Sequence, residues 1–425
     1  MKEDFLHYLW KFQKINTSNL KTATDKSLQI VTIGKHNTEN SGPDFFNSQL
    51  IIDSQKWAGT VEIHIKSSDW YTHQHQNDPA YDNVILHVVW EHDVEIFRSN
   101  NTPIPTLELK PITSKTTLKQ YQNLLEQKPK WINCEKQLSS ISAFTWSNWL
   151  ERLYFERLST KASRLKNLFK VLNNHWEATC FCLIAQYFGG NSNGIQFLEI
   201  AKSIPFTVIQ KTTAIFQLEA LFFGQANLLV KTIDDPYYKS LQKEYAYLKH
   251  KHQLTTLQGI QLQFFRLRPP NFPTIRLAQL AQVYGKQQQL FSRINTETDL
   301  KKIQQLFKTQ TSEYWQTHYS FGKESKKSIK QLSTSFIDLL VINAVLPMQF
   351  LYFKILGKED ETALLLLISS LKTEKNNITS GFLKAQMPLK NAMHSQAVIQ
   401  LKKEYCDINQ CLKCAVGFEL LKTNN

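Results

Sequence analysis

The stretch that most restricts the fold is Val84-Ile85-Leu86-His87-Val88-Val89-Trp90. A continuous apolar run of this length reads as a strand buried at the centre of a sheet. Such a strand needs partners, and the flanking sequence supplies them. Leu28 to Ile33 reads as a strand ending at Gly34, and Phe45 to Ile52 as a second. After a turn at Asp53 to Trp57, Ala58 to Lys66 forms a third. Short strands near Val94–Phe97 and Thr106–Leu109 complete the sheet, with Pro103 and Pro105 marking a bend or an edge. Residues 3–15 put Phe5, Leu6, Leu9, Trp10 and Phe12 on a helical stripe, and the polar stretch Gly34 to Gly42 reads as an exposed loop.

Beyond about residue 115 the apolar spacing changes to that of helices, as in Trp146, Trp149, Leu150, Leu153, Leu158 and Leu165. Leu277–Leu290 and Phe336–Leu346 continue the pattern. The fold class expected is therefore α+β. A chain of 425 residues exceeds one ordinary core. The divisions expected are an α/β core over 1–115, a mainly helical domain over 116–400 with a break near 234–270, and a cysteine-rich segment over 401–425.

Chemistry concentrates in Gly42-Pro43-Asp44-Phe45 and Gly59-Thr60-Val61-Glu62-Ile63-His64-Ile65-Lys66. Strand side chains alternate, so Glu62, His64 and Lys66 share one face while Val61, Ile63 and Ile65 face the core. Two carboxylates, Asp44 and Glu62, suffice to anchor Mg²⁺ or Mn²⁺ for phosphodiester cleavage, with His64 or Lys66 assisting. Six of the twelve histidines, at 36, 64, 73, 75, 87 and 92, fall in this region. A rival reading is a hydrolase of small phosphorylated substrates that holds Zn, Mn or Fe through His64, His73, His75 and Asp78, with His87 a further candidate, because imidazole suits transition metals. His87, on the apolar run, reads as a core histidine.

Pro43-Asp44, a hairpin and Glu62-Ile63-His64 resemble the PD-(D/E)XK nuclease superfamily over residues 1–110. The resemblance implies a restriction-endonuclease-like core, metal ligation by Asp44 and Glu62, and nuclease activity. His64 stands where that superfamily has lysine, and Lys66 lies one pleat further along. The whole sequence is also similar to a domain-of-unknown-function family found chiefly in Bacteroidota. The phrases that carry this are Gly42-Pro43-Asp44-Phe45, Val61-Glu62-Ile63-His64, Ser68-Asp69-Trp70, His73-Gln74-His75 and Arg266-Leu267-Arg268-Pro269, together with the C-terminal cysteines.

Cys406, Cys411 and Cys414 lie close enough in sequence to wrap one metal. Candidates for a fourth ligand are Cys134 and His394. Some RecB-like nucleases hold a [4Fe–4S] cluster through one distant and three clustered cysteines, and Cys134 with the C-terminal trio resembles that plan. Zinc and unliganded buried thiols are the other readings. Cys180 and Cys182 sit in an apolar helix and read as core.

The net charge of +14 favours an anionic partner, here DNA or RNA. Arg266, Arg268 and Arg276, beside phenylalanines and prolines, are candidates to grip phosphates and stack bases. A nucleic-acid-binding protein without turnover on the same fold is the alternative. No stretch reads as the ~18–20 apolar residues of a membrane span. Met1-Lys2-Glu3-Asp4 does not begin a secretory signal, and the cysteines are not arranged as a disulfide scaffold. A cytoplasmic location is expected.

Overall fold

The computed structural model describes residues 1–37, 41–125, 131–287, 289–358 and 361–422. The chain is α+β, and it divides into two compact units. The first comprises Met1–Trp149, Lys384–Met387 and Leu401–Asn425; the second comprises Leu150–Leu383 and Pro388–Gln400. The first unit thus runs past residue 115 to Trp149, while the second ends at Gln400, after which the chain returns to the first. Residues 401–422 join the first unit because Leu421 is buried in the same core as Phe5 and Val61, and Phe418 packs 4.5 Å from Phe12 between ring centroids. Such contacts across the length of the chain leave no trace in local periodicity.

In the first unit, helix α1 (Glu3–Lys11) precedes strands β1 (Leu28–Thr32), β2 (Lys35–His36), β3 (Phe45–Ile52) and β4 (Gln55–Lys66). Helix α2 (Asp69–Thr72), strands β5 (Val84–Glu91) and β6 (Thr106–Glu108), and helix α3 (Lys115–Leu125) follow. The sheet runs β1-β3-β4-β5-β6, with β2 added beside β3. Pairing is antiparallel through β4 and parallel from β4 to β6, so the sheet is mixed. Part of the loop expected over 34–42 is the short strand β2, and residues 38–40 of it lie outside the described residues. The strand expected near Val94–Phe97 reduces to one bridge between Phe97 and Pro103, consistent with the prolines that break the ladder there.

The β3–β4 turn consists of Asp53 and Ser54, both at positive φ (47° and 70°). This is the two-residue geometry whose twist matches that of the strands, and it lets β4 begin at Gln55. Strand β5 is buried along Val84–Trp90. Its register against β4 jumps from Thr60↔Val84 to Val61↔Leu86, so Ile85 is an extra residue and the faces of the two strands realign after it. Glycine is required opposite this bulge. A Cβ on Gly59 would lie 2.5 Å from Ile85 Cγ2 and 2.6 Å from the Asn83 carbonyl oxygen.

The two sheet faces differ in chemistry. Val61, Ile63, Leu86 and Val88 bury against Phe5, Leu6, Leu9 and Trp10 of α1. Glu3 and Asp4 in the first turn of α1 and Lys11 in its last complement the helix dipole. Each fully buried side chain of this kind stabilises the fold by about 1.5–3 kcal/mol. The opposite face carries Glu62, His64 and His87, with Trp70 and Tyr81 in the cluster that covers it.

Among the described residues the second unit is helical apart from the hairpin His318–Ser320/Lys323–Glu324 and a bridge between Gln310 and Gln331. Asp235 caps the helix Pro236–Lys251 by accepting from Tyr238 N–H at 2.8 Å, with proline in the first helical turn. Contrary to the expectation of no membrane-length span, the helical stretch Thr334–Ile355 is 22 residues long and contains an 18-residue window of mean hydropathy 1.7. By length and composition it could cross a membrane, yet 61% of that window is buried inside the protein. The sequence disguises this continuity with Pro347, which is accommodated because a π-helical turn at Val341–Val345 leads into it.

Candidate metal centre

The site is built on β4. Glu62 and His64, two residues apart, point to the face away from α1, as alternation requires, and both are buried. The parallel register sets His87 of β5 opposite Glu62. His87 Nε2 lies 2.8 Å from His64 Nδ1, so this core histidine orients the next one outward. When His64 donates from Nδ1 to His87, its Nε2 lone pair is free to ligate.

Two further imidazoles come from the segment after α2. Ser68 is pinned by Asp93, which accepts from its N–H (2.9 Å) and its hydroxyl (2.7 Å), and Lys66 N–H donates to Asp69 (2.9 Å). The chain then turns through Gln74, which holds a left-handed φ of 61°. This turn lets His73 and His75, on either side of it, converge on His64. His73 Nδ1 lies 3.0 Å from His64 Nε2. The ring of His75 stacks between His64 (5.2 Å, 10°) and Tyr81 (3.7 Å, 22°), with Trp70 edge-on at 5.4 Å. One nitrogen from each of His64, His73 and His75 lies within 4.8 Å of the others, a grouping that can hold a metal ion. His64 is buried, His75 partly so, and His73 exposed, so the cluster has one open side.

Carboxylates border this cluster. Glu62 Oε1 stands 3.4 Å from His64 Nε2 and 3.5 Å from His75 Nε2. Its Oε2 accepts from Asp44 N–H at 3.1 Å. Asp44 returns the contact, its Oδ2 accepting from Ile63 N–H at 2.9 Å and lying 3.2 Å from His7 Nε2. Gly42, at φ 108°, makes the turn that delivers Asp44 to this position. Burial first, and then the Asp44 charge, push the Glu62 carboxyl up to about 9. Burial and the neighbouring imidazoles hold His64 down to about 3 and His75 to about 4, while buried His87 is also well below its ordinary value. His7 moves the other way: burial opposes its charge, but the Asp44 hydrogen bond and the nearby acids outweigh it. Imidazoles beside a carboxyl form a donor set suited to zinc, manganese or iron, whereas Mg²⁺ prefers oxygen ligands.

The structure thus brings Asp44, Glu62, His64, His73 and His75 together. Lys66 lies at the exposed end of β4, where its charge acts on Asp93. Asp78 accepts from Ala80 N–H at 2.9 Å and starts a 3-10 turn. His7 and the orienting role of His87 escaped the sequence reading, because both depend on contacts between separate elements. Their only local signals were that His7 falls four residues after Glu3 on α1, and that His87 interrupts an apolar strand.

The candidate phosphate-gripping arginines belong to the second unit. Arg266 and Arg268 are exposed, Arg266 lying 5.1 Å from the Phe265 ring. Arg276 is instead held internally, 3.8 Å over Phe336 and bonded to Gln279 and Asn271. His394 is also in the second unit, where its Nδ1 accepts from Lys390 N–H at 3.3 Å. Cys134, Cys406, Cys411 and Cys414 all lie in the first unit, with Cys134 and Cys411 packed on the α1 side of the sheet, away from the histidine face.

No curated protein and no solved structure matches the chain. Residues 3–377 match the family described as protein of unknown function (DUF2851), and the chain belongs to that family.

Proposed function

We propose that the first unit is a metal-dependent hydrolase of phosphodiester bonds, with His64, His73 and His75 as the ligands of a transition-metal ion. The observation that carries this reading is the convergence of three imidazoles beside Glu62. The net charge of +14 supports an anionic substrate, DNA or RNA, with small phosphate esters as the narrower case. The metal would supply a Lewis acid for the phosphoryl oxygen and acidify the attacking water.

The protein groups then have distinct tasks. Glu62, made basic by burial and by Asp44, accepts the proton of the attacking water. A cation among the imidazoles favours its carboxylate form, so that it is ready to do so. His87 and Tyr81 fix the rings of His64 and His75, and exposed His73 marks the side from which substrate approaches. The second reading, a Mg²⁺ nuclease anchored by Asp44 and Glu62, has less support. One oxygen of Asp44 already accepts from Ile63 N–H.

The test is hydrolysis of bis(p-nitrophenyl) phosphate, single-stranded DNA, duplex DNA and RNA, each with Zn²⁺, Mn²⁺, Fe²⁺ or Mg²⁺. Hydrolysis with a transition metal is expected, falling by about 10²–10⁴-fold in Glu62→Gln and lost in His64→Ala. Metal-loaded protein that cleaves none of these substrates would refute the proposal. Activity with Mg²⁺ that survives His73→Ala would favour the second reading.

A further inference from the structure

We propose that Cys134, Cys406, Cys411 and Cys414 form an all-thiolate metal centre, a zinc ion or an iron–sulfur cluster, that fastens the C-terminal segment to the sheet unit. The centre is independent of the histidine cluster. Every pairing among the four sulfurs lies within electrostatic range: Cys406 is influenced by the other three, Cys134 by Cys411 and Cys414, and Cys414 by Cys411. All four are free of disulfides.

The local backbone is shaped to gather them. After Cys406, Gln410 N–H returns to the Tyr405 carbonyl at 2.7 Å, and Cys411–Lys413 forms a single 3-10 turn. Cys414 N–H closes on the Cys411 carbonyl at 3.2 Å, and the helix Ala415–Lys422 starts directly behind it. Gly417 makes that approach feasible, because a Cβ there would fall 2.1 Å from the Cys411 carbonyl oxygen. Cys134 is joined to this knuckle through its neighbour. Asn133 Nδ2 donates to Asn409 Oδ1 at 3.0 Å and to Cys411 Sγ at 3.4 Å.

The direction of the hydrogen bonds points to a ligand. Cys411 sulfur receives a donor from Asn133, and Cys414 sulfur receives backbone N–H groups of Val416 and Gly417. Such donors favour the thiolate, the metal-binding form, against burial, which pushes all four thiols up. Thiolates in one another's field repel, and a cation among them would relieve that repulsion. The nearby cation, Lys402, is paired with Asp407. A sulfur-only donor set selects zinc or iron–sulfur chemistry over hard cations. The clamp would hold in place Phe418 and Leu421, which pack against α1 and the core it covers.

The experiment is elemental and acid-labile sulfide analysis, with a visible spectrum, of full-length protein prepared without oxygen or chelator. Wild type is compared with Cys411→Ser, Cys414→Ser and the paired His73→Ala/His75→Ala variant. Metal that persists in the histidine variant and disappears in both cysteine variants is expected. Colourless zinc assigns a single ion; equal iron and sulfide with broad absorbance assign a cluster. Should a serine variant fail to fold, titration of wild type with a mercurial gives the same reading, with metal leaving as the thiols react. Wild type holding no zinc or iron beyond the histidine-dependent equivalent overturns the proposal, as do disulfides among these four residues. Loss of phosphodiesterase activity alone does neither, because that result addresses the histidine site.

Discussion

Asp44 separates the two metal readings most cleanly. Its carboxylate accepts from the Ile63 N–H at 2.9 Å and lies 3.2 Å from His7 Nε2, while its own N–H holds Glu62. Asp44→Ala therefore removes the acceptor of a backbone donor on a residue only 1% exposed. Leaving such a donor unpaired costs about 1–3 kcal/mol. Near neutral pH the Glu62 carboxyl, pushed up to about 9, is protonated and leaves little repulsion to relieve, so a net loss of about 1–3 kcal/mol is expected. Asp44→Asn keeps an acceptor oxygen but not the charge, and neutral bonds are roughly half as strong, so its cost should stay below about 1 kcal/mol. The assay is native-state hydrogen exchange of the β4 amides. A loss of about 1.4 kcal/mol accelerates exchange about tenfold. Zinc or manganese affinity is measured in parallel and should survive in both variants. Unchanged exchange at Ile63 together with abolished metal binding would show that Asp44 is a ligand and not a clamp.

Further expectations concern the orienting groups, the clamp and the helical unit. His87→Phe should weaken metal binding at the histidine cluster about 10–100-fold, as for other residues that orient a ligand; titration calorimetry showing no change would remove His87 from that role. Leu421→Ala should destabilise the first unit by about 2–5 kcal/mol, read by urea unfolding; a loss below that range would mean that the C-terminal helix is not part of the core. Lys161, half-buried with its ammonium bonded to Gln396 and Asn343, is held down to about 7 by desolvation, then by Arg157. A lysine whose folded value is lowered contributes stability above its unfolded value near ~10.4, and that contribution is lost as pH falls toward about 7. Unfolding of wild type should therefore become harder between pH 7.5 and 10, and Lys161→Met should flatten the slope; equal slopes would contradict the shift.

The strands were legible where burial imposes period two. Phe45–Ile52 and Val84–Trp90 stand as read, because alternation and unbroken apolarity are local properties of a sheet. Glu62 and His64 were likewise placed on one face by alternation alone. Lys66 followed the same alternation yet ends exposed, since the strand leaves the covered region there. His87 could have been joined to them only by knowing that β5 runs parallel to β4 with a bulge at Ile85, a register no single strand encodes. Arg276 reads as a surface cation until Phe336, sixty residues on, arrives beneath it. Cys134 was one of two candidates for the company of the C-terminal cysteines. The structure puts Cys134 in the same unit as residues 401–422, while His394 belongs to the second.

Metal stoichiometry at the histidine cluster is the most direct measurement for the central claim. Metal-stripped wild type and the His73→Ala/His75→Ala variant are each loaded with Zn²⁺ or Mn²⁺, freed of excess, and assayed for metal per chain. The variant should carry one equivalent fewer than wild type. Equal metal content in the two proteins would contradict a centre built on His64, His73 and His75.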